Sequence, residues 1–75
     1  MTTLDQMPLG SKVIVKKISR ETNVKRRLMD MGVVPGIEVE VKGKAPMGDP
    51  IEILIRGYKL TLRKDEAATI FVESC

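Results

Sequence analysis

The sequence predicts a mainly β protein: a small, partly closed antiparallel barrel of about five short strands, with one α-helix inserted after the first. Three observations carry that prediction. Aliphatic residues alternate with polar ones at period two in several short runs, the pattern of strands with one buried and one wet face. The links between the later runs are of hairpin length, which requires antiparallel neighbours. A single stretch, residues 24–37, instead has helical spacing and then a stop and a turn.

The first strand is expected over Lys12 to Ile18, where Val13, Ile14, Val15 and Ile18 form a β-branched run between lysines, after the punctuation of Met7-Pro8-Leu9-Gly10. Residues 19–23 connect it to the helix, and Thr22 or Asn23 has the side-chain oxygen that caps a helix start. Val24, Leu28 and Met31 are spaced i, i+4, i+7 and share one helix face, while Lys25, Arg26 and Arg27 fall mostly on the rest of the cylinder. With Met31 as the last helical residue, Gly32 occupies the left-handed position past the end, and Val33 is placed to touch Leu28, as in a Schellman stop. Val34-Pro35-Gly36-Ile37 then reads as a type II turn, Pro35 presetting φ and Gly36 supplying the positive φ.

Ile37, Val39 and Val41 alternate with Glu38, Glu40 and Lys42 in a second strand. Two prolines and Gly48 in residues 44–50, Lys-Ala-Pro-Met-Gly-Asp-Pro, make a wide loop ending at Pro50. Ile51, Ile53 and Ile55 form a third strand, Gly57 marks a tight turn, and Leu60 and Leu62 lie in a fourth strand with Lys59, Thr61 and Arg63 between and beside them. Residues 64–68 suit one helical turn, with Asp65 and Glu66 supplying negative charge near its start. Ile70, Phe71 and Val72 make a last strand, and residues 73–75 are expected to fray. Closure into a barrel would fill the interior with the alternating Ile, Val and Leu and protect the edges of so small a sheet, so the expected class is SH3-like.

At 75 residues this is one expected domain, burying roughly 60% of the surface its unfolded chain exposes. The lone cysteine, Cys75, forms no internal disulfide, which suits a reducing compartment, and neither a leader nor a spanning segment is expected. The net charge of +3 is asymmetric: residues 1–27 carry seven Lys or Arg against two acids, and residues 28–75 carry six against eight. A basic end of this kind meets nucleic acid, an acidic protein surface or anionic lipid, or simply keeps a small protein soluble.

Several chemistries find no support. With no histidine and one terminal cysteine, a metal site would have to be built from Asp30, Asp49, Asp65 and Glu66, which nothing clusters in the sequence, so no metal site and no cofactor are expected. Catalytic residues are expected to be absent as well, since no nucleophile stands beside a base. Gly48-Asp49-Pro50 and Pro35-Gly36 lack the spacing of a phosphate loop. Tyr58 and Phe71 are too few to wall a polyproline groove or to stack bases, leaving Lys16, Lys17, Arg20, Lys25, Arg26 and Arg27 as electrostatics without a reading element. No specific nucleic acid is therefore expected.

Met29 does not fit the apolar stripe of the helix, and Met47 sits at a loop tip. Each taken singly is expected to fill an irregular gap under the barrel; exposed, either would be adaptable contact surface.

In order along the chain, Leu28-Met29-Asp30-Met31-Gly32-Val33-Val34-Pro35-Gly36, then Pro46-Met47-Gly48-Asp49-Pro50, then Leu60-Thr61-Leu62-Arg63 with Glu66-Ala67 resemble the FeoA family, the small cytosolic proteins of bacterial ferrous-iron uptake. The resemblance spans nearly the whole chain. It implies an SH3-like barrel without catalysis of its own and a partner, the membrane ferrous-iron transporter FeoB, whose cytosolic part carries a G-protein domain. It also implies a cytoplasmic accessory protein that does not insert in the membrane. Lys25, Arg26, Met29, Met47 and Asp49 are the residues expected to meet the partner. Leu28, Gly32, Pro35, Gly36, Gly48 and Pro50 are expected to set the helix stop and turns. A related domain ends some metal-dependent repressors, the alternative reading, but those carry a helix-turn-helix ahead of it, and here only residues 1–8 precede the barrel.

Overall fold

The computed structural model describes residues 2–19 and 22–74. Its elements are β1 (Thr2–Thr3), a 3-10 turn (Leu4–Gln6), β2 (Lys12–Ile18), α1 (Thr22–Asp30), β3 (Glu38–Lys44), β4 (Ile51–Ile55), β5 (Tyr58–Leu62), α2 (Lys64–Ala67) and β6 (Ile70–Ser74). All strand pairs are antiparallel, in one sheet of order β1-β6-β2-β3-β4-β5. The fold is mainly β, as expected, with six strands instead of about five. Among the described residues the sheet is not closed by hydrogen bonds, and β1 and β5 remain its two edges.

The strands form where alternation puts aliphatic side chains on one face. Val13 and Val15 on β2, Val39 and Val41 on β3, Ile51, Ile53 and Ile55 on β4, and Ile70 and Val72 on β6 are buried in a single core with Leu28, Val33 and Leu62. Two bulges keep that face inward where the alternation slips. In β2 the pair Lys16-Lys17 interrupts the period, and a register shift between Val15 and Lys17 returns Ile18 to the core. In β3 a shift between Val41 and Gly43 lets the strand run on to Lys44, beyond the expected residue 42.

Other differences from expectation have local causes. β1 and the 3-10 turn are too short to show a period, yet Thr2 and Thr3 pair with Val72 and Phe71, and Leu4 is fully buried. Residues 73 and 74 do not fray, because Glu73 and Ser74 pair with Ile14 and Val13. β5 begins at Tyr58 because the two-residue turn Arg56-Gly57, both with positive φ, pairs Ile55 directly with Tyr58. The helix starts at Thr22, so Asn23 lies inside its first turn and does not cap it. The side chain of Thr22, together with Arg20 and Cys75, falls outside the described residues.

The end of α1 has Schellman geometry. Val33 N-H donates to the Leu28 carbonyl (2.9 Å), Gly32 N-H donates to that of Met29 (3.0 Å), and Gly32 has φ +99°. The ordered helix ends at Asp30, one residue earlier than expected, with Met31 and Gly32 forming the stop. Ile37 N-H then donates to the Val34 carbonyl (3.2 Å) with Gly36 at φ +92°, and this turn is tied to β2 through Gly36 N-H to Val15 O (2.7 Å) and Val15 N-H to Ile37 O (2.9 Å). Helix, stop and turn thereby place α1 rigidly against the sheet.

Candidate functional site

The expected stripe of α1 faces inward: Leu28 is fully buried, and Val24 and Met31 pack on the core. Its opposite side carries Lys25, Arg26 and Met29, all exposed, around a shallow depression of about 400 Å³ completed by Asp30. Met29 is 41% exposed and Met47, at the tip of the β3–β4 loop, 87%. Neither fills a gap under the sheet. The physical reason for Met29 is angular: two positions from Arg27 and one from Leu28, it falls on the side of the cylinder away from the core.

Partners among the basic residues divide them. Lys16 pairs with Glu73 (3.3 Å), Lys17 lies over the Phe71 ring (5.2 Å to its centroid), and Arg27 pairs with Glu66. Lys25 and Arg26 have no ionic partner among the described residues. On α1 this leaves one small patch with a methionine in its middle, while Lys12, at the start of β2, is likewise exposed without an ionic partner among the described residues.

The other side of α1 is occupied with structural contacts that the sequence reading missed. Tyr58, considered there only as an aromatic wall, donates its hydroxyl to the Met31 carbonyl, one of the helix-end acceptors without an intrahelical donor. A Cβ at Gly32 would stand 2.9 Å from that hydroxyl. Glu66 is almost fully buried, and its Oε1 accepts the Arg63 N-H (2.9 Å) while its other oxygen pairs with Arg27, joining α1 to α2. It is a cap and a tie, more than the general negative charge expected of Asp65-Glu66. Asp49 accepts the Lys64 N-H (3.0 Å), so the β3–β4 loop caps α2 across space. The loop is closed on itself by Gly48 N-H to Ala45 O (2.7 Å) and Ala45 N-H to Pro50 O (3.1 Å), which leaves Met47 projecting. Between α1, β5 and this loop lies a cleft of about 600 Å³, lined by Arg27, Met31, Asp49, Thr61 and Arg63.

Among the described residues no three His, Cys, Asp or Glu stand together as a metal site, and no helix is long and apolar enough to cross a membrane. The described surface offers exposed methionines, cations without an ionic partner among the described residues and a cleft, on a small sheet with one helix. The architecture is SH3-like.

Comparison with known proteins places it more narrowly. The FeoA domain family matches residues 2–74, and the chain belongs to that family, which is associated with ferrous-iron transport and is not a known enzyme family. A FeoA-like protein from Clostridium acetobutylicum has the same structure at 51% identity, with a TM-score of 0.91 over 97% of this chain and 85% of that one. FeoA of Stenotrophomonas maltophilia, described as an SH3 domain protein and complexed with zinc, matches at 28% identity and TM-score 0.85 over 97% of this chain and 91% of its own. A fusion of Fe(2+) transport protein A with the Fe(2+) transporter FeoB in Porphyromonas gingivalis is 30% identical over 93% of this chain, which spans 8% of that protein's length. A manganese-dependent transcriptional repressor shares the fold at 20% identity, a likeness of fold alone.

Proposed function

We propose that the protein supports ferrous-iron uptake in the cytoplasm by binding the cytosolic, G-protein-bearing part of a FeoB transporter, through the outer face of α1 and the β3–β4 loop beside it. The observation that carries this reading is the outer face of α1, where Lys25 and Arg26 lack ionic partners among the described residues and flank exposed Met29. Unpaired charge steers a partner, and a methionine between the charges supplies adaptable apolar contact once it arrives. Met47 adds a second apolar contact, and Asp49, by capping α2, holds the loop that presents it. The fusion in the Porphyromonas gingivalis relative supports the choice of partner, since two units in one chain work at a high effective concentration.

The test is ferrous radioiron uptake in a strain lacking the protein, complemented by wild type, Met29→Glu or Arg26→Glu, beside pull-down on the transporter's soluble domain and a melting curve for each variant. Both variants are expected to lose uptake and pull-down while melting as wild type does, because truncating or reversing a few central anchors removes most of an interface's energy. Normal uptake in the deletion strain under anaerobic, iron-poor conditions would reject the function. Normal uptake with both variants would reject this surface only.

A further inference from the structure

The sheet ends on β5, and no strand among the described residues pairs with its far side. The two-residue turn at Arg56-Gly57 makes Ile55 and Tyr58 a hydrogen-bonded pair, so alternation along the ladder sends the N-H and C=O groups of Lys59 and Thr61 outward, away from β4. Among the described residues these outward groups have no hydrogen-bond partner. The cleft of about 600 Å³ lies at the same place, Thr61 and Arg63 lining it from the β5 side and Arg27 and Met31 from α1, a volume within the range that takes ligands. We propose that this open edge adds a strand from a protein partner, an extended acidic segment that pairs with the backbone of Lys59 and Thr61 and brings a carboxylate to Arg63.

Charge selects that occupant. The two acids at the cleft are taken, Glu66 by Arg27 and the Arg63 N-H, and Asp49 by the Lys64 N-H. The Arg63 guanidinium has no ionic partner among the described residues, and Lys59 has only Glu52, at 4.0 Å. Lysine on an edge strand disfavours pairing with a basic strand by like-charge repulsion, and the same charge favours an acidic one. In the antiparallel register centred on Thr61, a second copy of this chain is disfavoured because it would set Lys59 and Arg63 against each other, and like charges directly across a sheet destabilise it. The site is distinct from the outer face of α1 and stands whether or not the transporter is the partner.

The experiment uses the full chain labelled with nitrogen-15 and two end-blocked peptides, one alternating glutamate with valine and one alternating lysine with valine. In the free protein the amides of Leu60 and Leu62 should exchange slowly and those of Lys59 and Thr61 fast. Millimolar glutamate peptide should slow Lys59 and Thr61 by about tenfold and shift β5 resonances, through main-chain pairing at a sheet edge. The lysine peptide, and a glutamate peptide N-methylated at alternate residues so that its pairing N-H groups are gone, should do neither. Arg63→Glu should reverse the preference between the two charged peptides. Slow exchange of Lys59 and Thr61 in the free protein, equal response to both charged peptides, retained binding by the N-methylated peptide, or shifts confined to α1 would each overturn the proposal.

Discussion

The two sides of α1 and the start of its stop, residues 22–31, have opposite fates. On one, Leu28 is buried, Met31 receives the Tyr58 hydroxyl at its carbonyl and Arg27 is tied to Glu66. On the other, the side chains of Lys25 and Arg26 have no ionic partner among the described residues and that of Met29 is exposed. The difference teaches how so small a protein keeps a surface available. Its helix is anchored through one stripe and one stop, which frees the remaining positions from any part in stability.

That comparison can be broken first at Leu28. Leu28→Ala should cost about 3 kcal/mol through lost burial and the cavity left behind, and in a domain this small most of the stability would go. Urea denaturation measures it, and a loss below about 1 kcal/mol would mean that the stripe is not the anchor. Glu66→Ala comes next, at about 2 kcal/mol, since it removes the acceptor of the Arg63 N-H together with the tie to Arg27. Arg27→Ala should cost something too despite Arg27 being mostly exposed, because it leaves the buried Glu66 carboxylate without its cation. A double-mutant cycle separates the two roles of Glu66.

Gly32→Ala should cost about 1–2 kcal/mol, from a Cβ in the left-handed region. The contact at the Tyr58 hydroxyl adds to this, and the comparison sharpens if Tyr58→Phe returns part of the loss in the Gly32→Ala background while costing stability by itself. The smallest effects belong to the outer side: Met29→Glu and Arg26→Glu should each change stability by no more than about 0.5 kcal/mol. A larger loss in both would show that this face, too, holds the fold.

The strands were legible to within a residue or two wherever alternation was strict, as in Ile51, Ile53 and Ile55, because a period of two has only one way to bury its apolar set. The helix stop was legible for a different reason: Gly32 followed by Val33, and Pro35 followed by Gly36, are backbone requirements written in single residues. β1 was not, since Thr2 and Thr3 are strand only by virtue of pairing with Val72 and Phe71. Nor was burial at Leu4, which depends on where the 3-10 turn lands.

Of the candidate surface, Lys25, Arg26 and Met29 could be placed outside the apolar stripe by counting along a helix, yet their freedom could not be inferred. It required knowing that Glu73, Phe71 and Glu66 engage Lys16, Lys17 and Arg27, partners that lie 39 or more positions away in the chain. The sequence by itself determined local geometry, the periods, the stop and the turns, because those follow from backbone sterics and from burial of one face. Only the tertiary structure decided which charges are paired, which methionines are bare and which strand edge is open. Those properties belong to side chains and edges brought together from distant positions, and no local pattern records which of them will meet.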